Sequence, residues 1–118
     1  MKSKIVVRSS FIGLHRYKDA PEPVKFLRDL HRHTFNVEIQ ISVTDSDREL
    51  EFIMVKDRLS IIMSNLQIFN EAVAEGCMSC EQMAEYIIGQ LQVHYGENRF
   101  YQCSVFEDGE NGAIVCTE

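Results

Sequence analysis

The stretch LHRHTFNVEIQISV, Leu30 to Val43, contains the residues best suited to chemistry, two histidines separated by one residue. Read as a strand, it divides cleanly. Its odd positions carry His31, His33, Phe35, Val37, Ile39, Ile41 and Val43, and its even positions carry Arg32, Thr34, Asn36, Glu38, Gln40 and Ser42. Successive strand side chains point to opposite faces, so the imidazoles open the row that goes on to be apolar. Two histidines so spaced stand about 6.5 to 7 Å apart along the chain, and both can reach one ion at about 2.1 Å from each nitrogen. A zinc site with an open position needs a third protein ligand. The only other upstream histidine is His15, which follows the apolar run KIVVRSSF and would lie alongside if the two segments pair as antiparallel strands. The competing reading is an ordinary pair of polar residues hydrogen-bonded to loop backbone.

The elements that must position these residues follow from periodicity. Lys4–Phe11 is rich in β-branched residues and reads as a first strand. Residues 12–30 form a long connection containing Gly13, Pro21 and Pro23. Within it, Val24, Leu27 and Leu30 are spaced for one or two helical turns plugged against the core. After the second strand, TDSDREL has turn composition, and LEF is read as the end of a hairpin. Val55, Leu59, Ile62 and Leu66 form the stripe of an amphipathic helix over 53–66. NEAVAEGCM reads as a connection stopped at Gly76. Ser79 followed by Gln82 is a capping box that opens a second helix, with Met83, Ala84, Ile87, Ile88 and Leu91 on its buried side. RFYQCSVFE alternates as a third strand, and EDGENG turns it into a last strand, AIVCT. The order β-β-α-α-β-β predicts an α+β layer, a four-stranded antiparallel sheet with two helices on one face.

Composition sets the outer bounds. At 118 residues, 45% hydrophobic and 25% charged, the chain suits one ordinary core, so residues 1–118 are expected to form a single domain. A net charge of -6 with scattered Lys and Arg argues against nucleic acid as a partner. No apolar run approaches the roughly 20 residues of a membrane span, and MKSKIVVRSSF lacks a signal-peptide core, so a cytoplasmic protein that does not enter membranes is expected. Cys77, Cys80, Cys103 and Cys116 are late and uneven, which suits free thiols better than a disulfide framework.

The pattern F-x-x-x-H at Phe11–His15, a Pro-bearing loop, and then L-H-x-H-x-F-x-V at Leu30–Val37 resembles the 6-pyruvoyltetrahydropterin synthase and 6-carboxytetrahydropterin synthase family. The resemblance spans nearly the whole chain. Glu51–Phe52 sits where that family has D-F before a helix. SCE, Ser79 to Glu81, looks like its T-x-E helix entrance, and VFEDGENGAIV is similar to its closing V-x-E hairpin. The resemblance implies a tunnelling fold, in which subunits of a homo-oligomer join their sheets into a barrel, which would also cover unpaired sheet edges. It further implies zinc held by His15, His31 and His33, Glu107 anchoring the guanidine-like edge of a pterin, and substrate contacts from Ser79 and Glu81. Independently, Glu107 is the one carboxylate on the face of Tyr101, Cys103 and Val105, at a strand end where it could accept two N–H bonds.

The chain departs from the family where a proton is moved. The synthases place a cysteine base four residues before the first histidine of H-G-H, and here that residue is Leu27. Their D-H pair after the first helix aligns with Asn65 and Leu66, and the H-G-H glycine is Arg32. The favoured reading is a zinc-dependent, lyase-like enzyme acting on a pterin-like or purine-like small molecule with altered proton-transfer residues. Cys80 and Asp29 are the candidates for that step. Cys80 lies at a helix start, where the dipole favours thiolate, although a cysteine there is commonly a packing residue. Asp29 would carry the proton, orient an imidazole or remain at the surface. The alternative is a non-catalytic module that keeps the metal pocket and binds a pterin or purine. A third reading takes Cys77-x-x-Cys80 as a redox motif or half of a structural zinc site, but no strand precedes it and no second pair has ligand spacing.

Overall fold

The computed structural model describes residues 1–118. Strand β1 spans Ser3–His15, a 3-10 helix Glu22–Arg28, β2 His31–Val43, α1 Phe52–Ala72, α2 Cys80–Tyr95, β3 Tyr101–Glu107 and β4 Asn111–Cys116. The strands form the expected four-stranded antiparallel sheet, and its strand order is β1-β2-β3-β4. The inward row of β2, Phe35, Val37, Ile39 and Ile41, meets Leu59, Ile62 and Leu66 of α1 and Met83, Ile87 and Leu91 of α2. Each of these side chains is at most 2% exposed. Tyr101, Cys103 and Val105 complete the core from β3.

Several boundaries differ from the sequence expectation, each for a local reason. β1 does not stop at Phe11 but runs through Gly13 to His15, because its backbone keeps pairing with the first residues of β2, Phe11 with Phe35, Gly13 with His33 and His15 with His31. Glu51 does not close a hairpin. Its extended backbone makes it the N-cap of α1, and its carboxylate accepts from the Ile53 and Met54 N–H groups. α1 then continues past Leu66 to Ala72. The Ser79–Gln82 capping box opens α2 with both of its reciprocal hydrogen bonds present. The expected plug between β1 and β2 is not part of the core: the 3-10 helix buries none of its residues, and Leu30 is 56% exposed.

One buried polar residue, absent from the sequence reading, ties three segments together. Asn70, on α1, is 3% exposed. Its Nδ2 donates to the Leu14 carbonyl at 2.9 Å, and its Oδ1 accepts from the Met78 N–H at 3.0 Å. Its own carbonyl accepts from Gly76 N–H, and the Gly76 carbonyl accepts from Arg16 N–H. Gly76 has φ +79°, a left-handed conformation that favours glycine. The end of β1 and the entrance to α2 are thereby held at a common point on α1. Asn70→Ala would strand the buried Met78 N–H, at about 1–3 kcal/mol, and remove the part-buried bond to the Leu14 carbonyl. Urea denaturation should show a loss of that order, whereas a loss under about 0.5 kcal/mol, the range of ordinary surface substitutions, would contradict this role.

Candidate metal centre and cleft

The β1–β2 register places His15 directly opposite His31 and leaves His33 facing Gly13. Gly13 is buried, and a Cβ there would approach the Phe11 and Phe35 rings at 3.2 and 3.3 Å, so its bareness lets the aromatic floor and the imidazoles share one face. The three imidazole centroids are 4.6 to 4.9 Å apart, and Phe35 meets His15 and His33 edge-on. One ligand atom from each histidine falls within 4.8 Å of the others, close enough to bind a metal ion.

The hydrogen bonding of the rings tests whether a metal fits. His31 Nδ1 lies 2.8 Å from the Asp29 carbonyl, which can only accept, so the proton is on Nδ1 and Nε2 carries the free lone pair. That Nε2 is buried and has no partner. His15 Nε2 is also buried without a hydrogen bond, although Glu107 Oε2 lies 2.7 Å away, a close contact lacking hydrogen-bond alignment. His33 Nδ1 is 2.6 Å from Asp108 Oδ2, which leaves its Nε2 on the side of Glu107, 3.6 Å from Oε2. Buried imidazole nitrogens without partners are costly, and a shared cation would satisfy them together.

Burial pushes the His15 pKa down. The Glu107 carboxylate opposes this, the His31 and His33 rings reinforce it, and a hydrogen bond to the Met78 backbone opposes it. Asp108 is pulled below the ordinary carboxylate value by the Thr34 backbone N–H and by His33.

Beside the triad lies a cleft of about 560 Å³ whose wall includes His15, His31 and Glu107. Ser79, Cys80 and Glu81, at the entrance of α2, line the same cleft. Leu27 lines it too, so the position where the resemblance places a cysteine base is occupied by an apolar wall. Asp29 does not line the cleft. Its side chain is exposed, and what it offers the site is its main-chain carbonyl. The thiolate expected of Cys80 is reversed: burial first, then the Glu107 and Glu81 carboxylates, push its thiol up to about 12. Desolvation here outweighs the helix start. Cys77 and Cys80 are free thiols, and the histidine triad is the only cluster with metal-binding geometry, so no structural zinc half-site is completed. Asp108, which clamps His33, was not singled out in the sequence, where DG reads only as a turn.

A second cleft, of about 520 Å³, lies at the other end of β1. Its Glu49 is committed to structure, accepting from Thr44, Asp45 and Arg99, which pull its carboxyl down to about 2.

The family model described as 6-pyruvoyl tetrahydropterin synthase matches residues 4–118. The chain belongs to that family. Among solved structures it is similar to the Plasmodium falciparum 6-pyruvoyl tetrahydropterin synthase, with a TM-score of 0.67, 19% identity and 98% of each chain covered. At that identity the likeness establishes the fold. No curated protein matches the chain by sequence. No helix is long and apolar enough to cross a membrane.

The lowered His15 pKa has a consequence for metal-free protein. The unfolded chain, titrating near 6.5, binds a proton before the folded one does. Stability is therefore full above that value and falls as pH drops from it toward the folded pKa. The urea midpoint should decline over this interval, and His15→Gln should flatten the decline. An unchanged slope in the variant would contradict the assignment.

Proposed function

We propose that the protein is a zinc-dependent enzyme acting on a pterin-like or purine-like small molecule, with proton-transfer residues that differ from those of its family. The observation carrying this reading is the pair of buried, unpartnered nitrogens on His15 and His31, in a cleft that also contains Glu107. Zinc in the triad would act as a Lewis acid, polarising a hydroxyl or carbonyl of the substrate side chain. Glu107 accepts two N–H bonds from the guanidine-like edge of the ring, turning from its present contact with His15 to do so. Ser79 and Glu81 face the same ligand from the start of α2. Cys80, whose thiol is neutral near pH 7, serves as a proton donor rather than as a resting thiolate. Asp29 acts through its carbonyl, which holds the His31 tautomer. The 118 residues work as one domain, and the exposed edges β1 and β4 are closed in a cytoplasmic homo-oligomer.

A second reading, a binding module without turnover, is favoured by one observation, the apolar Leu27 in the cleft wall. Two measurements separate these readings. Protein loaded with zinc should hold about one ion per chain, and His31→Ala should cost more than the roughly 10- to 100-fold in affinity that loss of an outer partner costs. Absence of zinc after loading would remove both readings. Dihydroneopterin triphosphate should show little conversion to either standard family product, and efficient conversion would contradict the altered-base assignment. If the protein converts any pterin or purine, Cys80→Ser should lower kcat by at least about 100-fold while binding persists. Binding with no conversion of any such ligand selects the module.

A further inference from the structure

We propose that Asp108 is a positioning residue that fixes the tautomer and direction of the His33 ring, so that Nε2 is presented bare to the triad. Asp108 and Gly109 have φ of 54° and 72°, and Glu110 N–H donates to the Glu107 carbonyl at 2.9 Å, so EDGE forms a tight turn with both central residues left-handed. Asparagine and aspartate tolerate that conformation better than other side-chain-bearing residues. The turn also extends the β2–β3 pairing beyond Phe35 and Glu107. Asp108 N–H donates to the Thr34 carbonyl at 2.7 Å, and Asp108 Oδ1 accepts from the Thr34 N–H at 2.9 Å. Aspartate is therefore held to β2 through both backbone and side chain, at the residue that follows His33.

With Oδ1 committed to Thr34, Oδ2 is left 2.6 Å from His33 Nδ1. A carboxylate oxygen accepts, so the imidazole proton stays on Nδ1 and the lone pair on Nε2. The His31 ring is fixed in the same sense, but by the neutral Asp29 carbonyl. Among the outer partners of the triad, Asp108 alone brings a formal negative charge, which makes the His33 nitrogen a more basic ligand. Closing the strand pair needs only one acceptor for Thr34 N–H, so a purely structural role would leave Oδ2 without a task.

Asp108→Asn separates the two roles. Asparagine suits the left-handed turn, and its oxygen can keep the Thr34 N–H, but its NH2 then faces Nδ1 and favours the opposite tautomer. Histidine 15N NMR of metal-free protein, at a pH above the imidazole range, should show His33 protonated on Nδ1 in the native chain and shifted toward Nε2 in the variant. Zinc affinity by chelator competition should fall about 10- to 100-fold in the variant, with the metal-free chain still cooperatively folded. The affinity arm rests on the proposed zinc reading; the tautomer arm does not. Native His33 protonated on Nε2, or a variant matching the native chain in tautomer, overturns the inference. Nδ1 protonation without zinc binding would leave the clamp standing and overturn the proposed function instead.

Discussion

The site depends on the antiparallel register between β1 and β2. Pairing His15 with His31 also pairs Gly13 with His33 and Phe11 with Phe35, because each step along one strand is matched by a step back along the other. A slip of one residue would turn His31 and His33 to the face of Arg32 and Thr34 and expose the row from Phe35 to Ile41. The apolar core therefore excludes such a slip, and the register that is observed also gathers the imidazoles. Gly13 keeps that register open to them by leaving space beside the Phe11 and Phe35 rings.

The second constraint is desolvation. Two imidazole nitrogens are buried without hydrogen bonds, and burial lowers the His15 pKa despite the neighbouring Glu107 carboxylate. The same desolvation raises the Cys80 thiol, so the cleft favours neutral over charged protein groups, apart from the carboxylates at its edge. Glu107 occupies the boundary between these regimes, close enough to His15 and His33 to interact with both and part of the wall a ligand would meet.

Around the triad, the chain has replaced side-chain chemistry with shape at one point and added it at another. Leu27 makes the wall apolar where the family resemblance expects a thiol, while the β3–β4 turn supplies Asp108 behind His33. Asn70 joins β1 and the start of α2 to α1, so the histidine at the end of β1 and the residues at the helix entrance share one support.

Much was legible from the residues alone because it follows short-range rules. Alternation along 30–43 determined which side chains share a face, the helical stripe located α1, and the capping box placed the start of α2. The two histidines on β2 and their partner upstream could be named from the same reasoning. The limits of β1 and α1 could not, since backbone pairing to β2 carries β1 on to His15 and a side-chain cap starts α1 at Phe52. Nor could the state of Cys80, where burial outweighs a local helix effect, or the roles of Asn70 and Asp108, which arise from contacts between distant segments. The sequence by itself determined the faces and the candidate ligands, because side-chain direction repeats with the local backbone. Tertiary structure alone decided desolvation, the Asp108 partner of His33 and the Asn70 tie, because those depend on which atoms from remote parts of the chain come together.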